Sequence, residues 1–395
     1  MNIPGWQGGR TRGGGSGGLI ALVIWAIFAV QAAKAANMPV LHFAGIALAG
    51  NYAESAANFP YSSKIIANPL QLNLQLATKL QSTHFANFKV SLDLGDVHTG
   101  DALGVALVVT WENVGQESFP GFTKVFLNLQ AEALVFNFKT KQIVSSFPFG
   151  AEYIDALPHQ QAVSPAKIEA EFRALYLRKA SGILDQFVQT MRAAKLPHAG
   201  ALRIQVAAAS LSPAAAQTLG SYGVSTQKGS YLLLSSFERY LSANCHIPVL
   251  PHANNQAIGG VMAARFADGS VFQFHIPQPD YVIRLSLQNA RRVEISRTAS
   301  ERALAYAAYL KVVIDQPLSP QPVLSASFKY AAVKVLALGA SPDNPEGFQE
   351  AIFSICDQVT RDFAAPNPSW EDKWVTDEQP TDALSTMPAL MRRFS

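Results

Sequence analysis

Catalysis or metal binding needs polar side chains that can converge. The densest such group in this chain is the run Leu92-Asp93-Leu94-Gly95-Asp96-Val97-His98-Thr99-Gly100-Asp101. Its carboxylates supply the oxygens that Ca2+ prefers. Their spacing does not follow the twelve-residue EF-hand loop, however, and Gly with Asp is what a strand-connecting loop requires on its own account. The run reads as a loop. The eight histidines are scattered: His246 and His252 flank Pro248 and Pro251, and His275 alternates with apolar residues. No His-Glu-x-x-His places two imidazoles one helical turn apart for zinc. The one Gly-x-Ser-x-Gly match, Gly14 to Gly18, follows no strand, so it does not make the strained strand-to-helix turn of a hydrolase nucleophile. It also lacks the Lys-Ser/Thr of a phosphate loop, and no Cys-x-x-Cys-His haem attachment occurs. The reading therefore assigns no catalytic, cofactor-binding or metal-ligating residue. An exported hydrolase with a scattered site, or a carrier of an apolar ligand, stands as the alternative.

The two cysteines, Cys245 and Cys356, carry the remaining chemistry. Their meaning depends on compartment. Arg10 and Arg12 precede an unbroken apolar run, Leu19 to Val30, and small residues follow at Ala33-Lys34-Ala35. That is the order of a secretory signal peptide, 1–35, cleaved near Ala35 or Ala36. The run of about 12 residues is short of the roughly 20 that span a bilayer, although stretching it from Gly17 to Ala33 would make an uncleaved anchor. No Cys follows it to take a lipid anchor. The mature chain is expected in the periplasm or outside the cell, with at most peripheral membrane contact. An oxidising compartment favours a Cys245–Cys356 disulfide, whose loop of about 110 residues would contribute roughly 4 to 5 kcal/mol.

Of the 395 residues, 49% are hydrophobic and 15% charged, against about 25% charged in typical globular proteins. This is too apolar for a disordered chain. The net charge of +3 comes from Arg10, Arg12 and Lys34; beyond residue 35 the chain has 28 basic and 28 acidic residues. Nucleic-acid binding needs clustered positive charge, so a nucleic-acid partner is excluded.

The periodicity predicts an α+β fold of two sequential units, 38–198 and 199–365, each a mixed or antiparallel sheet with a long closing helix. In the first, a strand over 41–48 precedes a helix over 70–80, then strands over 88–92, 103–111, 124–138 and 142–147. A helix from Pro165 to about Lys195 follows, capped by Ser164, with Gly182 able to bend it. The second unit repeats the order: strand 202–208, helix 231–242, a hairpin across Asp268-Gly269, strands over 281–287, 307–314 and 328–338, and a helix from Pro345. Leu80, Phe85 and Phe88 recur as Leu241, His246 and Val249, each 161 residues on. This order and spacing read as a tandem duplication.

The segment Val135 to Ser146, a strand, the polar turn Lys139-Thr140-Lys141 and a strand, is followed by the long helix. It resembles the periplasmic α/β domain of the curli-secretion-channel (CsgG-like) and TolB N-terminal group, in which a Thr-Gly-Lys type turn precedes the last strand and closing helix. Lys141 stands where that group often has Gly. The resemblance implies an envelope-associated assembly protein and transfers no residue role. The last stretch, 366–395, has four Pro and no sustained period, so it reads as a mobile tail. Its Trp370, Trp374, Leu390 and Phe394, with Met387 and Met391, are candidate partner-binding residues. The expected function is a non-catalytic binding or structural component of an envelope assembly, with other envelope proteins or a second copy as partner.

Overall fold

A computed structural model describes residues 38–50, 58–66, 69–93, 102–119, 121–158, 164–198, 200–252, 260–266, 270–338, 345–376 and 381–394. The expected signal peptide, the acidic run beyond Asp93 and the expected Asp268-Gly269 turn lie outside these residues. The elements in chain order are β1 (Val40–Ala49), α1 (Ser62–Ile66), α2 (Pro69–Gln81), β2 (Lys89–Ser91), β3 (Leu103–Phe119), β4 (Phe122–Asn137), β5 (Ile143–Pro158), α3 (Pro165–Leu177) and α4 (Ile183–Ala193). There follow β6 (Ile204–Leu211), α5 (Pro213–Ser221), α6 (Thr226–Cys245), β7 (Gly260–Phe266), β8 (Val271–Ile276), β9 (Tyr281–Arg297), β10 (Glu301–Asp315), β11 (Leu324–Ala337), α7 (Glu346–Ala364), α8 (Pro368–Trp374), α9 (Thr381–Met391) and a closing 3-10 turn (Arg392–Phe394). The fold is α+β.

Local chemistry sets these boundaries. Ser164, Ser212 and Ser225 each accept a backbone N–H three residues on and so start α3, α5 and α6. The helix expected over 165–195 is two helices. Ala180 takes a left-handed φ of 66°, and at Gly182 a Cβ would fall 2.5 Å from the Arg178 carbonyl, so the chain breaks there.

Two mixed sheets result. The first has the order β5-β4-β3-β1-β7-β8, with β2 added to β1; the second has the order β11-β10-β9-β6. Each contains an antiparallel three-strand meander beside one parallel strand, β1 on β3 and β6 on β9. The hairpin β7–β8 corrects the expected boundary at 198/199, because it pairs with β1 and so belongs to the first sheet. The sheet curls until His275 bridges Gln142 at the start of β5. Inside the curl Phe136 meets Phe274 at 4.5 Å between ring centres. Gly104 is required there, since a Cβ would sit 2.6 Å from the Phe136 ring.

The two sheets share their irregularities. Ala44 is the extra residue of β1 opposite β3, and Ala207 is the extra residue of β6 opposite β9, 163 residues later. Thr110 bulges from β3 against β4 as Gln288 bulges from β9 against β10, a separation of 178. The pair Leu134–Ser146 recurs as Val313–Ser325, with 179 residues between equivalents on both strands.

The elements stack in four layers. Leu72, Leu76, Phe172, Leu184 and Phe187 on α2, α3 and α4 cover one face of the first sheet. α6 and α7 pack on the other face and, through Phe237, Leu241, Ile352 and Ile355, on the second sheet. Lying between two sheets, α6 is buried almost all round from Gly229 to Glu238. Its Ser235 and Ser236 satisfy their hydroxyls on the carbonyls of Tyr231 and Leu232.

The C-terminal residues overturn the expectation of a mobile tail. Leu384, Met387, Leu390, Met391 and Phe394 are buried in the core of the second sheet. Phe394 packs edge-on to Tyr281 at 5.3 Å, Trp370 stacks on Phe328 at 5.9 Å, and Trp374 lies 5.3 Å from Tyr330. Val375 bridges Phe328, and the Thr376 N–H donates to Ser327, so this segment covers the exposed edge of β11. Leu390 and Phe394 are therefore core residues, and Trp370 and Trp374 lie half-buried against β11.

The expected disulfide is also absent: both cysteines are free thiols. Asn244 donates to the Asp357 and Thr360 side chains and so sets the register of α6 on α7. In that register the Cys245 thiol faces the Thr360 carbonyl at 3.5 Å, one turn beyond Cys356, which points into the core. Burial pushes the Cys245 thiol up to about 12 and raises that of Cys356 as well.

Candidate functional site

Two places combine unusual chemistry with position: a buried polar seam where the units meet, and the outer face of the second sheet.

The seam starts from the first sheet. Asn128, Gln130 and Glu132 alternate along β4, so all three point to the α6 side, and all are buried. Glu132 accepts a short hydrogen bond from the Ser146 hydroxyl on β5. From the second unit, α6 contributes Tyr231, Glu238 and Arg239, and the segment after it contributes His252. Tyr231 donates to the carbonyl of Thr110 at 2.6 Å, a carbonyl that the bulge in β3 leaves outside the ladder. His252 Nδ1 lies 3.1 Å from Glu238 Oε2, and its ring packs edge-on to Tyr231. Arg239 spans back to Glu152 of β5 at 3.1 Å, which also accepts from Asn128. Ser146 and Val249 exchange backbone hydrogen bonds at 2.9 Å, stitching the units together beside this cluster.

Burial dominates the electrostatics. It pushes the Glu132 carboxyl up to about 7, against the opposing Ser146 hydrogen bond. Burial raises Glu238 too, and His252 opposes it. Burial works against the charge of His252, but Glu238 and Glu132 outweigh it and hold the imidazole above its ordinary value. The cluster thus gathers three groups, Glu132, Glu238 and His252, that all hold their protons to a higher pH than they would in water. Gln130 Nε2 and Arg239 Nε are donors here without a protein acceptor, and Glu132 Oε1 and Glu238 Oε1 are acceptors without a protein donor. Two donors and two acceptors around a crevice of about 10 Å³ match the hydrogen-bonding capacity and size of one water.

Ser146, His252 and two glutamates are the residue types of a hydrolase, but their order is wrong. The serine proton goes to Glu132, and the His252 nitrogen nearest a partner faces Glu238, so no imidazole sits on the hydroxyl. The crevice is far smaller than the roughly 300 Å³ that small-molecule sites need. A second crevice, between β3 and α6–α7, is about 50 Å³. No group of three His, Cys, Asp or Glu side chains among the described residues has metal-binding geometry.

The outer face of the second sheet is different. Val293 and Ile295 on β9 and Val333 and Val335 on β11 are 51%, 55%, 54% and 62% exposed. Val293 and Val333 sit in one row across Ala305, and Val335 pairs with Ala303 in the next. Lys311, Lys329 and Arg291 occupy neighbouring positions on the same face. Among the described residues no helix covers it.

None of the seam residues was found by sequence reasoning, because they come from positions 132, 146, 238 and 252. The signal that could have found one side is the alternation Asn128, Gln130, Glu132 inside an apolar strand. No family model matches the chain, and no curated protein matches it.

Proposed function

We propose that this chain is a non-catalytic binding or structural component of a protein assembly, exported and working in the cell envelope. The observation that carries the reading is the open aliphatic face of the second sheet. Large exposed aliphatic residues cluster there in adjacent rows, whereas scattered single ones would need no explanation. The enclosed seam argues for a rigid body that presents surface, not for a pocket that turns over substrate. The matching bulges and registers of the two meanders support descent by tandem duplication. In such a pair the second sheet leaves open a face that helices cover over β3 and β4 in the first. The apolar run near the N-terminus supports export.

The test uses the protein recovered under gentle conditions from its own cells, intact and as V333E/V335E. The expected result is a species heavier than one chain that the double variant loses while its own melting temperature stays unchanged. A native protein that runs as a single chain under all conditions would refute the reading.

A further inference from the structure

We propose that the open face of the second sheet receives helices whose aliphatic stripe is flanked by acidic side chains. The inference rests on the reading of that face as a docking surface and adds the chemistry of the partner. It starts from the equivalence of the two sheets. Register pairs Gly115 with Phe126 and Phe126 with Ile154 across the first meander, and Val293 with Ala305 and Ala305 with Val333 across the second. The face on which Val293 and Val333 lie is therefore the counterpart of the face on which Gly115 lies. In the first sheet the occupant of that face is known. A Cβ on Gly115 would sit 2.9 Å from Glu346 at the start of α7, and one on Gly150 would sit 3.0 Å from Arg239 of α6. A pair of helices covers the β3 and β4 part of that face, and its β5 margin stays open, with Ile154, the counterpart of Val333, 59% exposed.

The charges on the two faces are opposite in sense. In the covered face the sheet supplies acids, Glu132 and Glu152, and the second unit supplies His252 and Arg239 to meet them. In the open face the equivalents of Glu132, Gly150 and Asn113 are Lys311, Lys329 and Arg291. A partner packed in the same manner must bring acidic groups, since a like charge opposite any of them is repelled. Beyond them the face carries the aliphatic rows, which suit an apolar stripe, with Glu301 opposite Ala337 at its far tip.

A second copy of this chain does not supply that surface. Its free helix layer, α1 to α4, carries Glu169, Glu171 and Asp185, and these are already paired with Lys64, Arg173, Arg178 and Lys79 of the same layer. The partner is a different protein with an acidic helical surface.

The experiment titrates the full chain with a synthetic amphipathic helix of about 20 residues, roughly 30 Å long, bearing a Leu/Ala stripe flanked by Glu. The same helix flanked by Lys and vesicles of phosphatidylglycerol serve as competing probes. The expected result is about tenfold or tighter binding of the Glu helix over the Lys helix, one to two kcal/mol of preference. K311E/K329E should abolish that preference, and salt near 1 M, where the screening length is about 3 Å, should weaken it. Equal binding of both helices, binding of neither, vesicle capture that needs the same two lysines, or self-association lost in V333E would overturn the proposal. If V333E/V335E disrupts the native assembly while K311E/K329E leaves it whole, the docking surface stands and the acidic partner is wrong.

Discussion

Glu132 ties the seam to pH, and Glu132→Gln isolates its contribution. The folded chain holds the Glu132 proton up to about pH 7, against an ordinary value of 4.5. Between those values the folded state binds more protons than the unfolded one, so stability falls as pH rises from about 4.5 through 7. The loss is complete above 7. At about 1.4 kcal/mol per pH unit the raised value corresponds to roughly 3 kcal/mol. Glutamine keeps the shape, its oxygen can accept from Ser146, and its amide can donate toward the unpaired Glu238 oxygen, so the variant escapes the loss. Urea unfolding of both proteins from pH 5 to 8.5 is the assay. The two should be nearly equal at pH 5, and the variant should lead by about 3 kcal/mol at pH 8. Parallel curves across the range, or a lead for the wild type that grows with pH, would show that Glu132 is not the buried acid described above.

Three further outcomes follow from the packing. Phe394→Ala removes a fully buried ring from the second core and should lower stability by about 3 to 5 kcal/mol in denaturant unfolding; a change under about 0.5 kcal/mol would return the C-terminal residues to the status of a loose tail. Both cysteines should resist a thiol reagent in the native protein and react after unfolding without reductant, as mass spectrometry of the alkylated chain can read. Gly104→Ala forces a methyl into the Phe136 ring and should cost about 1 to 3 kcal/mol, seen as a lower melting temperature.

Much of the fold is legible where local pattern decides structure. The turn at Lys139 to Lys141 forms as its composition suggests, with Asn137 accepting the N–H groups of Lys139 and Thr140 and Lys141 in a left-handed conformation. Ser164-Pro165 starts a helix for the reason its residues state. The order of elements carries the correspondence between the units, and the bulges extend it to single residues. The rest depends on distance. An alternating hairpin at 260–276 does not say which sheet it joins, and it joins the first. The strand from Leu103 runs on to Phe119 through Glu112 and Asn113, whose polarity hides a strand that is covered by helices on one face. In the C-terminal stretch Pro368 starts a helix behind its Asn367 cap instead of breaking one. Two cysteines in adjacent helices are not yet a disulfide, because helix register places their thiols a turn apart.

The central claim is that the outer face of the second sheet is where this protein is gripped. A photo-crosslinking residue at Val333, with a control at Leu318, which is fully exposed on the turn between β10 and β11, tests it in living cells. A discrete adduct to another protein is expected from position 333 and none from 318. Adducts from both positions alike, or from neither, would contradict it.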